Sequence, residues 1–108
     1  MSDIPHVTPD QLARVRQSVI VLDVRDPEEL GSGRIPDSRN VPLGQLSGWL
    51  DQLPRPSGDL VISRPIVTVC QSGRRSETAA ALLTAAGFMV QSLAGGMDQW
   101  SAEGHPVD

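Results

Sequence analysis

Ile66-Val67-Thr68-Val69-Cys70-Gln71-Ser72-Gly73-Arg74-Arg75-Ser76-Glu77 is the stretch on which the fold of this chain turns. Its first four residues, mostly β-branched and apolar, suit a strand buried on both sides, as strands of a parallel sheet are. The strand runs directly into Cys70, and after Gln71-Ser72-Gly73 a helix is expected. Ala79, Leu82, Leu83 and Ala86 then share one face at i, i+3, i+4, i+7 spacing, and Gly87 supplies the stop. Strand, tight turn and helix place Cys70 beyond the carboxyl end of a strand and at a helix N-terminus, where open α/β sheets collect their ligands.

That position has chemical consequences. Unpaired N–H groups at the helix start carry partial positive charge, and with Arg74 and Arg75 beside them the Cys70 thiol is expected to be substantially ionised at neutral pH. Gly73 lets the backbone curl so that several amides point inward, giving an anion cradle around a nucleophilic sulfur. A lone cysteine is commonly a buried structural one, but a structural cysteine has no need of a cationic loop. Arginines in a helix's first turn oppose its dipole, so anion binding explains them better than solvation does.

Working outward, the alternation of strand and helix continues. Thr8-Pro9-Asp10-Gln11 reads as a capped helix start, with Leu12 and Val15 on one face, and Val19–Leu22 reads as a second buried strand ending at Asp23-Val24-Arg25. Residues 26–42 read mostly as loop, with one helical turn at Pro27–Leu30 and a short strand near Asn40–Val41. Leu43, Leu46, Leu50 and Leu53 predict an amphipathic helix stopped by Pro54, with Trp49 close to its stripe. Residues 55–64 read as a connecting loop with a minor strand at 60–62. Phe88–Leu93 is another strand, Gly95-Gly96 a strand-to-helix turn, and Met97 with Trp100 one face of a short last helix ending by Gly104. Such alternation implies an α/β fold with a mainly parallel sheet.

Composition sets the limits. At 108 residues the chain is the size of one domain, 1–108, with no room for a second core. One cysteine and two histidines, His6 and His105, exclude an intramolecular disulfide framework and a cysteine-rich zinc site, so no metal is expected. All nine positive residues are arginine, which excludes a Schiff-base lysine and a Walker lysine. A net charge of −4 argues against general affinity for nucleic acid or anionic membranes. No apolar run approaches the roughly 20 residues of a membrane helix, and the first residues lack the pattern of a secretory signal. A soluble, cytoplasmic protein is expected.

Several segments together resemble the single-domain rhodaneses, sulfurtransferases that carry sulfur as a cysteine persulfide. They are Leu22-Asp23-Val24-Arg25 with Asp26, Pro27 and Glu28; Arg34-Ile35-Pro36; Arg39-Asn40-Val41-Pro42; and the Cys70–Ser76 loop. Further along come Ala85-Ala86-Gly87-Phe88, Leu93-Ala94-Gly95-Gly96-Met97 with Trp100, and Gly104-His105-Pro106-Val107. The likeness implies a rhodanese-like α/β fold: a central, mainly parallel sheet of about five strands flanked by helices on both faces. It also implies a six-residue loop, Cys70 to Arg75, centred on the thiol.

By that resemblance, Cys70 is the nucleophile and takes sulfur from a small anionic donor such as thiosulfate, with cyanide as an assay acceptor. Gln71, Ser72, Gly73, Arg74, Arg75 and Ser76 form the loop whose amides hold the persulfide. Arg74 and Arg75 are placed on the donor's sulfonate, with Arg75 also serving loop architecture and Arg74 the pocket mouth. Asp23 and Arg25 order neighbouring loops, with an electrostatic effect on the site as their lesser role. No cofactor is implied, since the sulfur rides on the protein itself.

Departures from the family pattern are Arg34 where histidine is frequent, Asp37 where glycine is, and Ser38 where alanine is. Related dual-specificity phosphatases have a loop one residue longer, with arginine sixth after the cysteine; here Ser76 is sixth, so phosphatase is disfavoured. A persulfide relay from a protein donor or to a protein acceptor is compatible with the same loop, and so is a non-catalytic binding module. His6 and His105 are read as terminal surface or capping residues, and Trp49 and Trp100 as core.

Overall fold

The apolar runs supply the middle of the sheet. The computed structural model describes residues 4–53 and 64–108. In it the strands are β1 (His6–Val7), β2 (Ile20–Asp23), β3 (Arg39–Asn40), β4 (Ile66–Val69) and β5 (Val90–Leu93). They form one five-stranded sheet in the order β1-β5-β4-β2-β3, every pair parallel. All four residues of β2 and of β4 are buried, which is why neither strand shows a polar alternation.

Successive side chains on these strands feed two different cores. Ile20, Leu22, Ile66 and Cys70 face α2 (Arg74–Ala85) and the 3-10 helix Leu43–Gln52. Val21, Val67, Val69 and Leu93 face Leu12 of α1 (Pro9–Val15) and Met97 and Trp100 of α3 (Gly96–Ala102). The sheet is therefore covered on both faces, as the alternation of strand and helix implies. α1 begins with the expected capping box between Thr8 and Gln11.

Several expectations need correction. β1 has no signal in the sequence, because two residues carry no periodicity; its pairing with Ser92 and Leu93 makes it a strand. The stretch Leu43–Gln52 winds as a 3-10 helix, since Gly44 and Gly48 weaken α propensity; it buries Leu46 but leaves Trp49 39% exposed, outside the core. Val15 is exposed because α1 ends on it and the chain tightens into a 3-10 turn at Arg16–Ser18. Leu82 is exposed as well, the buried stripe of α2 being Ser76, Ala79, Ala80 and Leu83. The stripe keeps its helical spacing but starts at a serine, which hydrophobicity does not mark. Pro54 and the minor strand at 60–62 lie outside the described residues.

The chain leaves β2 toward β3 on one side, and β4 leads to β5 on the other. The winding of the chain thus reverses between β2 and β4, the switch point beyond whose carboxyl ends open α/β sheets bind their ligands. Asp23 pairs with Val69 in register, so Val24 and Cys70 leave the sheet side by side, and Arg25, one residue on, reaches Gln71 Oε1 at 3.1 Å.

Candidate active site

Parity along β4 sends Ile66, Thr68 and Cys70 toward α2. Thr68 Oγ1 donates to Ser76 O at 2.7 Å, fastening the first turn of the helix to the strand. Cys70 is buried, 1% exposed, with its sulfur enclosed by the loop. From the expected cradle of amides, the N–H of Gly73 reaches Cys70 Sγ at 3.0 Å. Gly73 itself caps α2 with φ of 111°, a conformation open to glycine and strained for other residues. Ser76 Oγ lies 3.6 Å from Sγ, donates to Gly73 O at 3.0 Å and meets Ser92 Oγ at 2.8 Å.

The loop rests on α3. Met97 N donates to Cys70 O at 2.8 Å and Asp98 N to Gln71 O at 3.0 Å, so the first amides of that helix hold the loop carbonyls. Gly96 permits this approach: a Cβ there would collide with Cys70 O and lie 2.7 Å from Gln71 O. Gln71 Nε2 donates to Asp98 Oδ1 at 2.6 Å, adding a side-chain tie.

Arg25 is 1% exposed and uses its whole guanidinium. It grips Asp23 through Nε at 3.0 and 3.1 Å and Nη2 at 2.8 Å, then reaches Gly33 O, Glu29 O and Gln71 Oε1. The pair thus joins β2, the loop after it and the cysteine loop, an ordering arrangement with its charge internally balanced.

Arg75, expected from the sequence on the donor as well as in the loop framework, lies against Glu29 of the 3-10 helix Pro27–Ser32. Nη1 and Nη2 donate to the two carboxylate oxygens at 2.6 and 2.8 Å. The Arg75 hydrogen bond is the main reason the Glu29 carboxyl is held down to about 2, with the Asp26 N–H helping and burial opposing. The same pairing raises the Arg75 guanidinium, to which the nearby Cys70 also contributes. Paired in this way, Arg75 has its charge balanced by Glu29 and occupies the loop framework, the architectural role expected of it beside a place on the donor. Arg74, the first residue of α2, is exposed and pairs with no carboxylate among the described residues; Ser72 is exposed too.

The remaining candidates lie elsewhere. Arg34 is half-buried and its carbonyl accepts the Asp108 N–H. His6 stands 3.5 Å from Glu77, and His105 hydrogen-bonds Asp10 at 2.9 Å while stacking on the buried Trp100. Asp10, Glu103 and His105 bring one ligand atom each within 4.8 Å of one another, and the His105–Asp10 hydrogen bond ties the C-terminal segment to α1.

Sequence reasoning misses Glu29, Gly96, Ser92 and Asp98. For Glu29 a signal exists, since Asp26 and Glu29 stand at capping-box spacing and the structure forms that box. Gly96 reads only as a turn, and nothing local marks Ser92 or Asp98.

A parallel α/β sheet whose switch-point strand delivers a thiol into a loop capped by a helix N-terminus and flanked by arginine defines a class of α/β domains with a cysteine in the strand-to-helix loop. The chain belongs to the rhodanese-like domain family, which matches residues 8–103. It is 33% identical over 102 residues to the thiosulfate sulfurtransferase GlpE of Pseudomonas syringae, covering 93% of this chain and 90% of that one. A rhodanese-related protein from Thermoplasma volcanium superposes with a TM-score of 0.87 at 30% identity, covering 96% of this chain and 97% of the other. A Rhodopseudomonas palustris protein described as a possible tyrosine phosphatase superposes with a TM-score of 0.85 at 29% identity, covering 99% and 86%. No helix among the described residues is long and apolar enough to cross a membrane.

Proposed function

We propose that the protein is a sulfurtransferase that takes sulfane sulfur from a thiosulfate-like donor and carries it as a persulfide on Cys70. The Cys70 thiolate attacks the outer sulfur of thiosulfate, the donor's S–S bond breaks, and its electron pair leaves on sulfite. An acceptor such as cyanide then attacks the outer persulfide sulfur, forming thiocyanate and restoring the thiolate. The observation that carries this reading is the Gly73 N–H on Cys70 Sγ at 3.0 Å at the start of α2, a fixed donor aimed where anionic sulfur is held. Arg74 is the cation left to meet the donor's sulfonate, while Arg75 and Arg25 hold the loop's shape through Glu29 and Asp23. The proposed chemistry needs Cys70 as a free thiolate, which a reducing, cytoplasmic setting maintains.

The phosphatase reading is favoured by the Rhodopseudomonas palustris neighbour and opposed by Ser76 in place of the sixth-position arginine. Intact mass before and after thiosulfate tests the proposal, with a cyanide chase, a Cys70→Ser control and an aryl phosphate assay alongside. One added sulfur that cyanide removes, absent in Cys70→Ser, is the expected result. No added sulfur combined with Cys70-dependent phosphate release would overturn it.

A further inference from the structure

The end of the sheet opposite Cys70 carries a second concentration of positive charge. A concavity of about 280 Å³ lies at the amino end of β2, lined by Arg16, Arg39 and Arg64 with one acidic residue, Asp37. The arginines come from the 3-10 turn after α1, the first position of β3 and the approach to β4. Two of them are fixed by main-chain carbonyls: Arg16 Nη1 donates to Pro36 O at 3.1 Å, and Arg64 Nη2 to Gln17 O at 3.0 Å and Val19 O at 2.8 Å. A carbonyl orients a guanidinium without cancelling its charge, and each group keeps unused N–H donors.

Counter-charge is scarce among the described residues. Arg39 is exposed and pairs with no carboxylate among the described residues. Asp37 stands 3.9 Å from Arg16 with its side chain 95% exposed, a contact that water largely screens. In a chain of net charge −4 with nine arginines, gathering three around one hollow runs against their mutual repulsion.

We propose that this concavity binds a compact, multiply charged oxyanion, the phosphate-bearing end of a small molecule. Planar guanidinium forks match phosphate oxygens two at a time, and three of them suit a ligand with several such oxygens. The hollow is at the small end of the range for small-molecule sites, which favours an anion over a large apolar ligand. From Ile66 to Cys70 the chain advances roughly 13 Å at about 3.3 Å per residue, so this site is separate from the thiol. The inference does not rest on the function proposed for Cys70.

Pyrophosphate titrated calorimetrically into the whole protein at fixed ionic strength tests it. One saturable site is expected, at least tenfold weaker in Arg39→Gln, a change at an exposed position, and unaltered in Cys70→Ser. Inorganic phosphate, which spans fewer guanidinium groups, is expected to bind more weakly. Backbone amide shifts on adding pyrophosphate to the unmodified protein should concentrate at residues 16–21 and 37–39. Absence of saturable heat, equal affinity in Arg39→Gln, equal affinity for the two anions, or shifts confined to residues 70–76 would each overturn the proposal.

Discussion

Ser38 and Gly96 show how much a single atom matters around this site. Ser38 is 7% exposed, and its Oγ has no hydrogen-bond partner among the described residues. A buried hydroxyl left unpaired costs free energy that its removal restores, so Ser38→Ala should gain about 1 kcal/mol. For a domain of this length that gain raises Tm by about 4 °C, readable in a thermal melt; a lower Tm would show that the hydroxyl has a partner. Gly96 is the opposite case. With φ of +59° and loop carbonyls where a Cβ would stand, Gly96→Ala should lose about 2 kcal/mol or more and push the Cys70 loop off α3. Denaturant unfolding and sulfur loading, measured together, check this; an unchanged variant would mean the loop yields freely.

Between elements, the decisive contact is the bridge from the 3-10 helix Pro27–Ser32 to α2. Glu29 and Arg75 are about a third exposed, 32% and 35%, so water discounts the pair and Glu29→Gln should cost about 1 kcal/mol at pH 7. The Glu29 carboxyl is lowered from 4.5 to about 2, so its contribution is fully present above pH 4.5 and fades as pH falls through that interval. Unfolding free energies of the two proteins should therefore converge between pH 4.5 and 2. A difference that stays constant with pH would assign the loss to packing and not to charge.

The same contact shows where the sequence is readable. Buried strands β2 and β4, the capped start of α1 and the Cys70 turn are local patterns, written in consecutive residues. Glu29 and Arg75 are 46 positions apart, and Gln71 and Asp98 are 27 apart. Such partners meet only through the sheet order, which no local period records. Leu82 and Trp49 escape for a related reason: helical spacing identifies a face but does not say that Ser76 belongs to it, or that Gly44 and Gly48 will change the winding.

For the whole molecule, the arrangement of charge makes the last prediction. Asp23 cancels Arg25 and Glu29 cancels Arg75, which leaves Arg74 as the exposed cation of the loop on a body of net charge −4. At a distance an anionic donor therefore meets a repulsive field, and only near the loop does Arg74 attract it. Raising ionic strength from 0.01 to 0.15 M shortens the screening length from about 30 to about 8 Å, which removes the distant repulsion before the near contact. If the protein transfers sulfur from thiosulfate, kcat/KM should rise roughly threefold over that range. Arg74→Ala should lower kcat/KM at every ionic strength and steepen its rise, because the body becomes more negative. Steady-state thiosulfate kinetics in both proteins read this directly. A fall with salt in the unmodified protein would mean that the loop's own positive field reaches further than these pairings allow.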